Sequence, residues 1–316
     1  MKFLLYFFFV FLFLYSPVAG QNTYEPARHG IQMPAGLNSM MFSADYSSNT
    51  NVMGIFNTNI KQPSFSPSLS FYSKWGADVS VIGYSIDNSD DSLTGYTAEL
   101  DLIAGYTLEI AKTLTIYPSY GHYFYSHNSN ALNALFTDDI RVDADYNHKF
   151  FNLGASAGYF MGKRNVFYMA LHNNYRLTID HFPFRQGSLL IQPGIDANFG
   201  SYEYLNLYYV DELRKDPAWF YYLFAYPGIR HYIEHEKKRH PDYTVKDILF
   251  NYLEQKADDN FKLTSVMIDL PVYLATGNFM VNFGIYSVIP VGQPEYMIDE
   301  VQFYFNIGIS YNFTFR

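Results

Sequence analysis

Two short patterns in this chain hold residue types that chemistry needs. His231-Tyr232-Ile233-Glu234-His235 sets two imidazoles four residues apart, with a carboxylate between them. On a helix, residues i and i+4 share a face, so His231 and His235 can hold one zinc while Glu234 activates a water. A catalytic zinc takes three protein ligands, and Glu254 or His240 would have to serve as the third. The plainer reading is a solvated helix face that runs on into Glu236-Lys237-Lys238-Arg239. The second pattern is His122 and Ser126, which fall on the same face of one extended segment, as a His/Ser hydrolase would place them. A serine nucleophile also needs a hydrogen-bonded base and an orienting third group, which one strand does not supply.

A third set carries more weight because its members repeat with strand period. Glu99, Asp101, Arg141, Asp143, Asp145 and Asp196 share the polar strand face with Gln302, Asn306 and Asn312, opposite faces made of apolar residues. Polar residues in this position either fill and hydrogen-bond a small interior or line a mildly cation-favouring path.

The elements that would position them are long alternating strands. From Tyr96 to Glu109 the even positions read Tyr, Ala, Leu, Leu, Ala, Tyr, Leu and the odd ones Thr, Glu, Asp, Ile, Gly, Thr, Glu. Ile140, Val142, Ala144 and Tyr146 alternate with Arg141, Asp143, Asp145 and Asn147; Leu189, Ile191, Ile195, Ala197 and Phe199 oppose Gln192, Asp196 and Asn198. A mean globular strand has about 5–6 residues, and a tilted membrane-spanning strand roughly 9–11. These segments are of the longer kind. About twelve are predicted, over 38–46, 66–75, 77–87, 94–109, 113–126, 138–149, 151–161, 165–179, 187–204, 262–275, 278–290 and 299–315. Short turns near Gly76, Ala111-Lys112, Lys149-Phe150 and Gly277-Asn278 alternate with longer links, as the two rims of a membrane barrel require.

Composition narrows the classes further. With no cysteine among 316 residues, disulfides, thiolate metal sites and cysteine nucleophiles are excluded. A net charge of −9 disfavours nucleic-acid binding, which needs clustered cations. Met1-Lys2, the apolar run Phe3 to Tyr15 and Ser16-Pro17-Val18-Ala19-Gly20 predict a secretory signal peptide over 1–20, with the mature chain beginning at Gln21. No later apolar run is long enough for a transmembrane helix.

The last segment is the most regular. Val301, Phe303, Phe305, Ile307, Ile309, Tyr311, Phe313 and Phe315 occupy one face, and Gln302, Tyr304, Asn306, Gly308, Ser310, Asn312 and Thr314 the other. This resembles the aromatic C-terminal strand of Gram-negative outer-membrane β-barrel proteins. The resemblance implies that the strand is read by the barrel-assembly machinery and that outer-membrane lipid surrounds the folded protein.

Residues 205–260 break the alternation and hold 18 of the 51 charged residues. Asp216-Pro217 is a helix start, Gly228 to His240 a second helix ended by Pro241, and Thr244-Val245-Lys246-Asp247 a capping box opening a third. Val245, Ile248, Leu249, Tyr252 and Leu253 lie along one face of that third helix. The predicted whole is an all-β, antiparallel up-and-down transmembrane barrel with a helical insert that caps or plugs it. Its expected role is non-enzymatic: a narrow gated pore or a structural or assembly component, passing a small solute or meeting a protein partner. No cofactor is called for. An outer-membrane lipid hydrolase or acyl-modifying enzyme is the alternative.

Overall fold

Strands form wherever apolar and polar residues alternate, and twelve of them close on themselves. The computed structural model describes residues 37–49, 51–52, 55–56, 62–88, 95–126, 136–162, 165–182, 187–201, 227–255, 261–292 and 301–315. The strands are β1 (Asn38–Ser47), β2 (Ser64–Tyr72), β3 (Ala77–Asn88) and β4 (Gly95–Tyr106, continued by Leu108–Ala111). Next come β5 (Leu114–Tyr125), β6 (Phe136–Asn147), β7 (Phe151–Gly162) and β8 (Val166–Tyr175, continued by Leu177–Asp180). The last four are β9 (Gly187–Ile191 and Gly194–Gly200), β10 (Lys262–Thr276), β11 (Phe279–Pro290) and β12 (Gln302–Phe315). Each pairs antiparallel with the next, and β12 returns to β1 in an unbroken register from Asn38↔Phe315 to Ser47↔Asn306. The closed sheet itself has no edge strand to seed pairing with another chain. A separate two-residue ladder joins Asn51–Val52 to Ile55–Phe56.

Burial follows the pleat in the sense opposite to that of a water-soluble protein. On β4, Leu102 is 38% exposed and its neighbour Asp101 only 2%. Along β2 the serines 64, 66 and 70 are buried while Phe65, Leu69 and Phe71 are exposed. β12 exposes Phe303, Phe305, Ile307, Ile309 and Phe313 and buries Tyr304, Ser310 and Asn312. A soluble surface rarely leaves so continuous an apolar patch open. Apolar outside and polar inside is the pattern of a barrel whose surrounding solvent is a bilayer.

The two rims differ. The chain ends of β1 and β12 share one rim with the tight turns after β2, β4, β6 and β10. Gly76 and Gly277 hold positive φ at two of these turns (95° and 58°), a conformation that costs glycine no side-chain clash. The other rim carries the long links between β1 and β2, β3 and β4, β5 and β6, β9 and β10, and β11 and β12.

The link between β9 and β10 contains the two helices of the described residues, α1 (Pro227–Arg239) and α2 (Val245–Gln255). Pro at the first position of α1 sacrifices no hydrogen bond, and Lys237, Lys238 and Arg239 in its last turn complement the helix dipole. The Lys237 ammonium donates to the carbonyls of Pro241 (2.6 Å) and Tyr243 (2.5 Å), which fastens the turn. α2 opens on the expected capping box: the Asp247 amide donates to Thr244 Oγ1 at 3.1 Å, and the Thr244 amide to Asp247 Oδ2 at 3.0 Å. Ile229 and Ile233 of α1 and Ile248, Leu249, Tyr252 and Leu253 of α2 are buried, and the Tyr232 and Tyr252 rings meet at 4.6 Å. The signal peptide expected over 1–20 and the helix start at Asp216-Pro217 lie outside the described residues.

Candidate functional site

The barrel interior is assembled from single inward positions on successive strands, so its chemistry is set by register. Of the residues grouped by alternation, Glu99, Asp101, Asp143 and Asp196 are buried, and Asp145 and Arg141 keep only 16% and 12% of their side-chain surface. Asp45, Asp78, Asp139 and Asp269 share the inward face, and sequence parity did not single them out. Arg141 is the one lysine or arginine at mid-strand among the described residues facing them.

On β4 to β6 these groups form a connected network. The Arg141 guanidinium donates to Asp139 Oδ2 at 3.2 Å, and the Tyr123 hydroxyl donates to Asp139 Oδ1 at 2.7 Å. Asp143 stands two residues along the same face, and the Tyr168 ring lies 5.9 Å from the guanidinium carbon. The carboxylates thus outnumber the cation they surround. A buried charge persists only with such partners, because desolvating it alone is costly.

Elsewhere the wall uses glycine to let large side chains lie flat. The Tyr117 hydroxyl donates to Asp78 Oδ1 at 2.7 Å, its ring resting where a side chain on Gly105 would stand. Tyr168 covers Gly158, and Tyr286 covers Gly284 and accepts a hydrogen bond from Asn306 Nδ2 at 2.9 Å. The Tyr286 and Tyr304 rings stack at 4.4 Å.

The two short patterns fare differently. His231, Glu234 and His235 are exposed on α1, and His235 Nδ1 pairs with Glu236 at 3.3 Å. His240 approaches the same Glu236 at 3.8 Å and stacks on Tyr243. No three His, Asp or Glu side chains converge to hold a metal among the described residues. The side chain of Glu254 lies outside the described residues. His122 points outward near the rim of long links, where its Nδ1 meets Asp138 Oδ1 at 2.8 Å and its ring meets the edge of Phe124. Tyr120 donates to the same Asp138 oxygen and Thr137 to the other. Ser126 shares this face, but four strand residues separate it from His122 by about 13 Å. Its hydroxyl instead accepts from the Ala98 amide at 3.3 Å. The structure therefore gives His122 a carboxylate partner and gives Ser126 no imidazole.

No protein-family model matches the chain, and no curated protein matches it in sequence. Among solved structures it is similar to the KdgM porin in complex with disordered oligogalacturonate, at 7% identity and a TM-score of 0.42, over 87% of this chain and 99% of that one. It is similar to the NanC porin at 10% identity and a TM-score of 0.43, over 86% and 98%. LpxR from Salmonella typhimurium is similar at 6% identity and a TM-score of 0.45, over 86% and 99%.

Proposed function

We propose that this protein is an outer-membrane barrel whose acid-lined interior passes small cations. One observation supports the reading above all: nine inward carboxylates face the single mid-strand guanidinium of Arg141 among the described residues. A low-dielectric wall lined by one sign of charge focuses its field and concentrates counter-ions, and rings of Asp and Glu select cations. Twelve strands enclose more space than the eight that side chains alone fill, and less than the sixteen or more of an open aqueous channel. The path is accordingly narrow, and large solutes do not fit it. The outer-membrane address rests on the apolar exterior, the paired terminal strands and the leader expected over 1–20.

A lipid-hydrolysing role finds less support, since His122 has Asp138 but no hydrogen-bonded serine among the described residues. Planar-bilayer recording of the refolded protein beside a phospholipid-hydrolysis assay tests the choice. Discrete cation currents without hydrolysis are expected. Hydrolysis that disappears in His122→Ala would overturn the reading.

A further inference from the structure

At several places along the barrel wall, an inward glycine is flanked on both neighbouring strands by polar side chains in register. Gly308 of β12 lies between Asp45 of β1 and Asn282 of β11, and the Asn282 amide donates to Asp45 Oδ1 over it at 3.2 Å. Gly154 of β7 lies between Asp145 of β6 and His172 of β8, and these meet over it at 2.9 Å. A third case is Gly194 of β9, flanked by Asn174 of β8 and Asp269 of β10. The flanking backbones are two strand spacings apart, roughly 9–10 Å, in all three cases.

At Gly194 the pair does not bond. Asn174 Oδ1 and both oxygens of Asp269 are buried and find no hydrogen-bond partner, although each residue is 97% covered. Asp196 borders the position two residues along the same strand and face; it is buried and near enough to Asp269 for their charges to repel. Every unpartnered atom named here is an acceptor. What is missing from such an arrangement is positive charge rather than another hydrogen-bond acceptor.

We infer that Asn174, Asp196 and Asp269 bind a hard divalent cation of the calcium class beside Gly194. Two carboxylates balance its charge and the amide oxygen of Asn174 extends the shell, the mixture of oxygen donors that calcium accepts in flexible geometry at 2.3–2.6 Å. Fewer than three of these ligands are acidic, so the set differs in kind from a cluster of carboxylates or histidines. It is also separate from the His231, Glu234 and His235 pattern on α1. Binding here does not depend on conduction and stands whether or not the barrel passes ions.

Terbium is the probe. The full mature chain, refolded into detergent free of lipopolysaccharide, is titrated with Tb3+ while tyrosine is excited, because Tyr286 stands directly beside Asp269 in the register. Saturable luminescence, reversed by Ca2+, is expected. Asp269→Asn and Asp196→Asn each weaken it by at least about tenfold, the scale on which even a ligand's supporting partner matters. Glu109→Gln, at an exposed position near the end of β4, leaves it unchanged. Asn174→Leu removes one ligand oxygen without altering charge and weakens binding several-fold, which keeps the test open if an Asp variant fails to refold. No saturable signal, or equal signals from the parent and every folded variant, would overturn the site.

Discussion

A Cβ placed on Gly105 would stand 1.9 Å from the hydroxyl oxygen of Tyr117 on the neighbouring strand. That tyrosine lies flat along the wall because Gly105 leaves it room, and from there it reaches Asp78. Gly105→Ala should therefore cost about 1–3 kcal/mol, the range for overpacking a filled site. Gly83→Ala serves as the comparison, since the nearest atom to its added Cβ would be Pro67 Cγ at 3.9 Å. It should be neutral or gain up to about 1 kcal/mol from reduced chain entropy. Urea unfolding of the two variants in lipid vesicles separates them, and equal effects would place Tyr117 elsewhere.

The direction of the strand faces can be checked with a pair of neighbours. Leu102→Arg puts charge on the lipid side near mid-strand, at a cost of roughly 2–4 kcal/mol, whereas Asp101→Arg adds a cation among Glu99 and Asp139. Heat-modifiable gel mobility should show a much larger loss of folded protein for Leu102→Arg. Similar losses would mean that the register of β4 is shifted by one.

Much of this was legible before any coordinates. β12, β4 and β6 alternate so regularly that their faces follow from parity alone, and the capping box at Thr244 and Asp247 was visible as four residues. Asp269 was not, because Val266-Met267-Ile268-Asp269-Leu270-Pro271-Val272 is apolar on both faces and shows no alternation. Asp139 has the parity of Arg141, Asp143 and Asp145 but stands just before the alternating run that begins at Ile140, where a second acid, Asp138, on the outward parity blurs the pattern. The interruptions of β4 and β8 at Thr107 and Arg176 likewise depend on which neighbour the chain pairs with next.

The cap of α2 predicts a pH response. Hydrogen bonds from the Thr244 hydroxyl and amide hold the Asp247 carboxyl below its ordinary value. A depressed carboxyl stabilises the fold above its unfolded pKa, and that contribution disappears as pH falls through the folded one. Amide exchange at Asp247, whose N–H is bonded to Thr244 Oγ1, should accelerate beyond the intrinsic trend as the solution is acidified through this range. Thr244→Ala should exchange faster at neutral pH and lose the acid dependence. An unchanged profile in that variant would remove the cap from the explanation.

The insert should be separable from the sheet. Gly200 of β9 already pairs with Lys262 of β10, so the barrel closes without any strand from residues 205–260. Deleting them in favour of a short glycine-containing turn lowers the loop-closure cost and should leave heat-modifiable folding intact. Single-channel current should rise, on the proposal that the insert caps or plugs the path. A deletion variant that does not fold would mean that the insert is part of the packed interior.

The most direct test is the reversal potential of the refolded parent in a planar bilayer under a tenfold KCl gradient. An interior dominated by Asp and Glu should draw it toward the potassium equilibrium potential. Asp101→Asn combined with Asp143→Asn should move it back toward zero while the barrel stays folded. A reversal potential on the chloride side, or a folded protein that carries no current with or without residues 205–260, would contradict the account.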